Sequence, residues 1–182
     1  PLSRVIATQN SVGTETKSYD DWATTITDPR GKVKRFYNDA EDRLVKVDEI
    51  NSGNTYSTQY VYNGAGKLIK IIDALGNLRQ FNYDALGSRL QAEDLHAVGD
   101  TTFGTWNYSY DDAGNLIQTT NPNDQIVQYV YDDINRILSE NYTGQSGTEV
   151  IYTYDNCTSG VGKVCNVISS GASTSYQYNA LG

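Results

Sequence analysis

Aromatic and polar side chains alternate along this chain with a period of two, in short runs broken by Gly, Asp and Asn. Tyr60-Val61-Tyr62, Phe81-Asn82-Tyr83, Tyr108-Ser109-Tyr110, Tyr129-Val130-Tyr131, Tyr152-Thr153-Tyr154 and Tyr176-Gln177-Tyr178 each place two rings two residues apart. Positions i and i+2 share one face of a strand but diverge on a helix. The pattern therefore predicts strands that carry paired aromatics on one face. No segment shows a 3.6-residue apolar period of useful length.

The runs repeat. A Tyr followed by Asp or Asn occurs at Tyr37-Asn38, Tyr62-Asn63, Tyr83-Asp84, Tyr110-Asp111, Tyr131-Asp132, Tyr154-Asp155 and Tyr178-Asn179, at spacings from 21 to 27 residues. Gly66, Gly87, Gly114 and Gly182 stand four residues after their Tyr, and Asn135 takes that place after Tyr131. Gly and Asn best tolerate the left-handed backbone region, and an Asp or Asn after the Tyr can bond the backbone two residues on. Leu68, Leu90, Leu116 and Ile137 then open the next strand. The first unit departs, with Glu41 at the Gly position, and the sixth replaces the turn with a cysteine loop.

A second kind of turn lies between the tyrosines, at Asp28-Pro29-Arg30-Gly31, Asp73-Ala74-Leu75-Gly76-Asn77 and Asn121-Pro122-Asn123-Asp124. One unit is thus a turn, a strand, a second turn and an antiparallel strand. The polar stretches 51–58, 97–105 and 143–148 read as extended hairpin loops, and no domain boundary shows. Residues 1–21 form a lead-in without a clear motif, and residues 22–182 hold about seven units, the last one truncated. Hairpins stacked in this way bury a shared face, and a twisted sheet curls as it grows. The expected fold is all-β: one curved, mostly antiparallel sheet of stacked hairpins with open, association-prone edges.

Composition narrows the function. The 182 residues include 15 Tyr and 16 Gly but only 3 Pro and no Met, and the formal net charge is -8. Tyr suits half-buried sheet positions, having an apolar body and a polar tip. An acidic surface with scattered Lys and Arg speaks against nucleic-acid partners. No apolar run is long enough to span a bilayer as a helix. The chain opens without Met and without a signal-peptide layout, and stops inside a motif, so it reads as a piece of something longer. Cys157 and Cys165, with Gly160 and Gly162 between them, read either as a disulfide closing a loop or as two reduced thiols.

Candidate chemistry is sparse. His96 reads as a solvent-facing loop residue rather than a general base, since no Gly-x-Ser-x-Gly elbow accompanies it. The pairs Asp20-Asp21, Asp111-Asp112 and Asp132-Asp133 sit at turns, which accounts for them without glycosidase or calcium chemistry. No cofactor or metal is expected, and no catalytic residue is assigned. The tyrosine face also permits glycan stacking, although packing between neighbouring units explains its regular spacing.

The run Asp73-Ala74-Leu75-Gly76-Asn77-Leu78, with Phe81-Asn82-Tyr83-Asp84-Ala85-Leu86-Gly87, resembles the YD repeat of RHS proteins. Tyr108-Ser109-Tyr110-Asp111-Asp112-Ala113-Gly114-Asn115-Leu116 resembles it again. The resemblance covers roughly residues 22–182 and extends to toxin-complex subunits, wall-associated toxins and teneurins. It implies a β-sheet that spirals into a hollow shell, which in bacterial members encloses a polymorphic toxin domain. The implied partners are further repeats of the parent protein and that toxin domain, in a secreted or cell-surface protein. The repeat residues it selects are Tyr37, Tyr60, Tyr62, Phe81, Tyr83, Asp84, Gly87, Tyr108, Tyr110, Asp111, Gly114, Tyr129, Tyr131, Asp132, Tyr152, Tyr154, Asp155, Tyr176 and Tyr178. The family's autoproteolytic site needs paired Asp-Pro-x-Gly motifs. Only Asp28-Pro29-Arg30-Gly31 occurs here, so that activity is not carried over.

Overall fold

Asp, Asn and Gly at the expected corners cut the chain into short extended segments. In the computed structural model, which describes residues 4–144 and 150–180, all sixteen regular elements are strands. The chain divides into two compact units. The first comprises the described residues up to Phe81 together with Leu95–Phe103. The second comprises Asn82–Asp94 and the described residues from Gly104 onward.

The first unit contains β1 (Ala7–Asn10), β2 (Gly13–Asp20), β3 (Ala23–Thr27), β4 (Val33–Asn38), β5 (Leu44–Asn51), β6 (Asn54–Tyr62), β7 (Leu68–Ile72) and most of β8 (Leu78–Tyr83). Each strand pairs antiparallel with the next, and one row of partners runs Thr25, Arg35, Asp48, Ser57 across β3 to β6. The segment Leu95–Phe103 returns to this unit through an antiparallel bridge between His96 and Leu78.

The second unit contains β9 (Arg89–Glu93), β10 (Thr105–Tyr110), β11 (Leu116–Thr120), β12 (Ile126–Tyr131), β13 (Ile137–Tyr142), β14 (Val150–Tyr154), β15 (Val164–Ser169) and β16 (Ala172–Ser175). They too pair antiparallel in chain order, with Val130, Ser139, Ile151 and Ile168 aligned across four strands. A one-residue register shift falls at three tyrosines that close strands, between Ser109 and Tyr110, Val130 and Tyr131, and Thr153 and Tyr154.

One expectation about loops changes. Within 51–58 only Ser52 and Gly53 form the turn, and residues 54–58 belong to β6. The polar side chains there alternate against β5, where Ser57 meets Asp48, so their polarity marks a strand pairing with polar neighbours. The 97–105 stretch is irregular as far as Gly104. Residues 145–148 of the third stretch lie outside the described residues.

Strands touch only their chain neighbours, and within neither unit does a second layer pack on the sheet. Buried apolar residues are few: Phe81, Ala92 and Cys165. In β12 the rings of Tyr129 and Tyr131 are half-buried while Gln128 and Val130 are exposed. A ring that loses half its surface to water contact on packing contributes roughly 2 kcal/mol of hydrophobic stabilisation. Cohesion thus comes from the ladder bonds and a surface of interleaved rings, in place of a central core.

The tyrosine clasp as candidate functional site

One five-residue turn occurs eight times among the described residues: at 28–32, 39–43, 63–67, 73–77, 84–88, 111–115, 121–125 and 132–136. Its first residue, Asp or Asn, accepts at Oδ1 from the amides of the third and fifth residues. In the 132–136 turn these bonds are 3.0 Å from Ile134 and 2.9 Å from Arg136. The 121–125 turn does the same with an Asn, at 2.9 Å and 3.0 Å. The first residue also pairs its own amide with the fifth carbonyl and receives the fourth amide. The fourth residue is left-handed everywhere, from φ 58 at Asp124 to φ 90 at Gly87. This is a tight turn followed by a bulge, the three-residue hairpin loop that matches strand twist.

Four of the turn carboxylates are held in the charged form. A side-chain bond from Arg43 lowers the pKa of Asp39, that of Asn77 lowers Asp73, and that of Asn115 lowers Asp111. The Arg136 amide lowers Asp132. Successive turns also touch. Asn115 Nδ2 donates to Asn135 Oδ1 at 2.7 Å, and Arg136 meets Asp155 at 2.8 Å.

A second recurring element ties neighbouring strands together. Among the described residues six tyrosines donate their phenol to a backbone carbonyl earlier in the chain, in four cases on the preceding strand: Tyr62 to Leu44 at 2.9 Å, Tyr110 to Arg89 at 3.1 Å and Tyr131 to Leu116 at 3.0 Å. Tyr154 reaches Ile137 at 2.8 Å, Tyr178 reaches Val164 at 2.7 Å, and Tyr19 reaches Val5 at 2.9 Å. The residue before each acceptor often covers the ring with a cation. Arg43 lies 5.1 Å from the Tyr62 centroid, Arg136 4.3 Å from Tyr154, and Lys163 4.7 Å from Tyr178. The ring therefore sits opposite the last residue of the preceding turn, where the ladder ends, and satisfies a carbonyl the ladder leaves over. We call this arrangement the tyrosine clasp.

The rings two residues earlier play a different part. Tyr152 donates to Glu140 at 2.7 Å, and that bond, with burial, pushes its pKa up to about 12. Tyr108 packs under Arg89, 4.8 Å from the ring centroid. Tyr60 and Tyr129 are half-buried, Phe81 is buried, and Tyr176 is largely exposed. Tyr83 is half-buried and leads into the Asp84–Gly87 turn.

Two sequence expectations need correction. Tyr37 is not a clasp tyrosine. The register shift of β4 falls between Tyr37 and Asn38, so Asn38 holds the clasp position and Asp39 starts the turn. Asp42, at φ 61, replaces the expected glycine, and Phe36 is the companion ring. One extra residue before the turn puts Tyr37 on the opposite face, where it donates to Asp48 at 3.0 Å. His96 is buried, not solvent-facing. Its ring stacks on Phe103 with centroids 3.8 Å apart, and Nδ1 lies 3.0 Å from the Ala97 carbonyl. The backbone bridge to Leu78 turns the insertion inward.

Asp48 is the second buried polar residue. It accepts from Ser57 at 2.6 Å and Tyr37 at 3.0 Å, and pairs with Lys46 at 2.9 Å. Burial alone would raise its pKa, but these three donors outweigh burial and lower it. Three strands supply the group, so no local spacing could reveal it. The clasp of Tyr19 falls in residues 1–21, where a Tyr-Asp pair stands without a following glycine. Cys157 and Cys165 are joined by a disulfide, with Cα atoms 5.4 Å apart. The turn position assigned to Gly182 lies outside the described residues. Among those described, no group of three or more His, Cys, Asp or Glu is placed to hold a metal. No helix is long and apolar enough to cross a membrane.

Fold and clasp together define a hairpin-stacking repeat protein. Residues 110–145, which span the clasp turns 111–115 and 132–136 with the clasp tyrosines Tyr110 and Tyr131, match the family model described as RHS Repeat. These residues thus carry an RHS repeat. No curated protein sequence matches it. Among solved structures it is similar to TcdB2-TccC3 without its hypervariable C-terminal region, with a TM-score of 0.66 at 15% identity. That alignment covers 97% of this chain and 12% of the other, and at this identity it speaks to the fold alone. Weaker likenesses are to the Photorhabdus luminescens Tc holotoxin pore and to a porin-like protein from Bacteroides uniformis. The pore gives a TM-score of 0.40 at 16% identity over 89% of this chain and 12% of that one. The porin-like protein also gives 0.40 at 16% identity, over 90% and 74%.

Proposed function

We propose that this chain is a length of structural wall, a scaffold of stacked hairpins that helps a larger secreted or surface protein enclose a polymorphic toxin domain. The observation that carries this reading is the single-layered sheet, whose strands meet only their chain neighbours. Such a sheet gains stability from each added hairpin and has no core of its own to complete. Its partners are then further repeats and the enclosed domain. The role assigned to its side chains is cohesion, and no reacting group is assigned. The test is limited proteolysis of the full parent protein, intact and with this segment excised. The downstream domain should resist cleavage only in the intact protein. Equal cleavage in both would overturn the enclosing role.

A second reading rests on one cleft. Trp106, Thr119, Asn121, Gln125, Ile126 and Tyr142 are among the uncharged residues lining a 220 Å³ hollow in the second unit. Exposed rings beside amides suit a neutral glycan. Titration with oligosaccharides, and loss of any binding in Trp106→Ala, would favour adhesion; no heat in any titration would remove it.

A further inference from the structure

The sixth clasp turn is built differently from the rest. Asp155 still opens it, but its Oδ1 accepts from Gly162 at 2.6 Å, and its amide reaches the Lys163 carbonyl at 3.2 Å, eight residues on. The longer loop folds around the Cys157–Cys165 disulfide. A Cβ added to Gly160 would lie 2.3 Å from Cys157 Sγ and 2.7 Å from Cys165 Sγ, so the loop closes against the sulfurs themselves. The Gly160 amide donates to the Cys157 carbonyl at 3.0 Å, and the Lys163 amide to the Gly160 carbonyl at 2.8 Å.

The next stretch of chain is anchored on this loop and on the start of β15, which leaves it. The Tyr176 amide donates to the Cys165 carbonyl at 2.9 Å, and the Tyr178 amide to the Thr158 carbonyl at 3.3 Å. The Tyr178 phenol reaches the carbonyl of Val164, next to Cys165, and Lys163 covers its ring. Strand β16, all four of whose residues are exposed, pairs with β15 from Ser169 with Ala172 to Asn166 with Ser175, so the ladder ends just before this stretch. In the other clasp turns a five-residue backbone supplies these anchors without a crosslink.

We propose that the Cys157–Cys165 disulfide is a redox-controlled lock on the following clasp, holding residues 176–178 when oxidised and releasing them when reduced. An external dithiol attacks as its thiolate at Cys157, which is partly exposed, while Cys165 is 4% exposed. The protein S–S bond breaks and Cys165 leaves as a thiolate, which the Cys157 amide, 3.0 Å from its sulfur, is placed to receive. The second thiolate of the dithiol then displaces Cys157 from the mixed disulfide. Two protein thiols and one oxidised dithiol result. Without the crosslink the loop is free to open, the Thr158 carbonyl is no longer held for the Tyr178 amide, and the start of β15 loses its covalent tie to the loop at Cys165.

Hydrogen exchange of the folded chain, with and without dithiothreitol, tests the lock. Reduction should speed exchange at the Tyr176 and Tyr178 amides by roughly tenfold to a hundredfold, leaving the 132–136 turn unchanged. The Cys157→Ser/Cys165→Ser double variant should exchange like the reduced chain without any reductant. If that variant fails to fold, the chemically reduced wild type decides. Tyr178→Phe should exchange rapidly at 176–178 in both states and so shrink the redox difference. A disulfide that survives dithiothreitol in the folded chain would overturn the proposal. So would reduction without a change at 176–178, acceleration spread evenly over all strands, or a full redox difference in Tyr178→Phe.

Discussion

The two ends of the hairpins use the same five-residue turn, yet the tyrosine clasps gather at one end, while the other has side-chain ties such as Lys32 to Asn51 and Thr143 to Ile126. At the clasp end, five of seven connections are that turn, at 39–43, 63–67, 84–88, 111–115 and 132–136. At the opposite end the turn recurs at 28–32, 73–77 and 121–125, among connections as short as Ser52-Gly53 and as long as 94–104. No tyrosine phenol among those described reaches across at that end. The difference teaches what constrains length. A clasp ring must meet a carbonyl just past the previous turn, so an added residue breaks it, whereas the free end tolerates insertion. The long clasp-end loop at 155–163 is the one that carries a disulfide.

Acid should strain this asymmetry most. Of the six connection aspartates with lowered pKa, Asp39, Asp111, Asp132 and Asp155 lie at the clasp end and Asp73 and Asp100 at the other. A carboxylate whose folded pKa lies below its unfolded value adds stability in full above the unfolded value of about 3.9. That contribution is lost as pH falls through the folded value. Thermal melting should therefore be level above about pH 5 and fall steeply below about pH 4, clasp-end amides exchanging first. A level profile to pH 3 would remove the aspartates from the account. At the alkaline end Tyr152, with its pKa pushed up to about 12, should be among the last tyrosines to ionise in a spectrophotometric titration.

Next in size is insertion. Two residues placed after Asn135 should misplace both Arg136 and the Ile137 carbonyl that Tyr154 uses, costing about 2–3 kcal/mol in urea unfolding. The backbone demand at the fourth turn position comes next. Gly114→Val should cost about 1–2 kcal/mol because φ is 86 there, with open space around the new side chain. Gly114→Asn should cost far less, since Asn135 holds the equivalent place at φ 64. The smallest effect should follow from the same two-residue insertion after Gly53, about 0.6 kcal/mol for a doubled loop.

The sequence exposed those parts of the molecule that depend on residues close in the chain. The Tyr, the Asp after it and the Gly at the corner act within five residues, so their spacing reveals both turn and strand. Asn38 hid the start of the 39–43 turn because one additional residue shifted the register, and a register shift changes the face without changing the composition. Tyr19 escaped notice because its hairpin turns at Asp21-Trp22 with no glycine. The cations above the rings left a signal that could have been found. Arg43 and Arg136 each stand four residues after a turn Asp, although Asn77, Ser88 and Asn115 occupy the same place. Asp48 left none, since its partners Tyr37, Lys46 and Ser57 come together only through cross-strand register. His96 was misjudged for the same reason, because burial in an insertion depends on where the loop returns.

The most direct measurement is residue-resolved hydrogen exchange in Tyr131→Phe, which removes only the phenol that reaches Leu116. The loss should be about 1 kcal/mol, with faster exchange in the turns 111–115 and 132–136. Protection should persist at 121–125, the turn that covalently joins the same two strands. Exchange that rises first at 121–125, or remains unchanged at both clasp-end turns, would contradict the claim that phenol-to-carbonyl clasps bind one hairpin to the next.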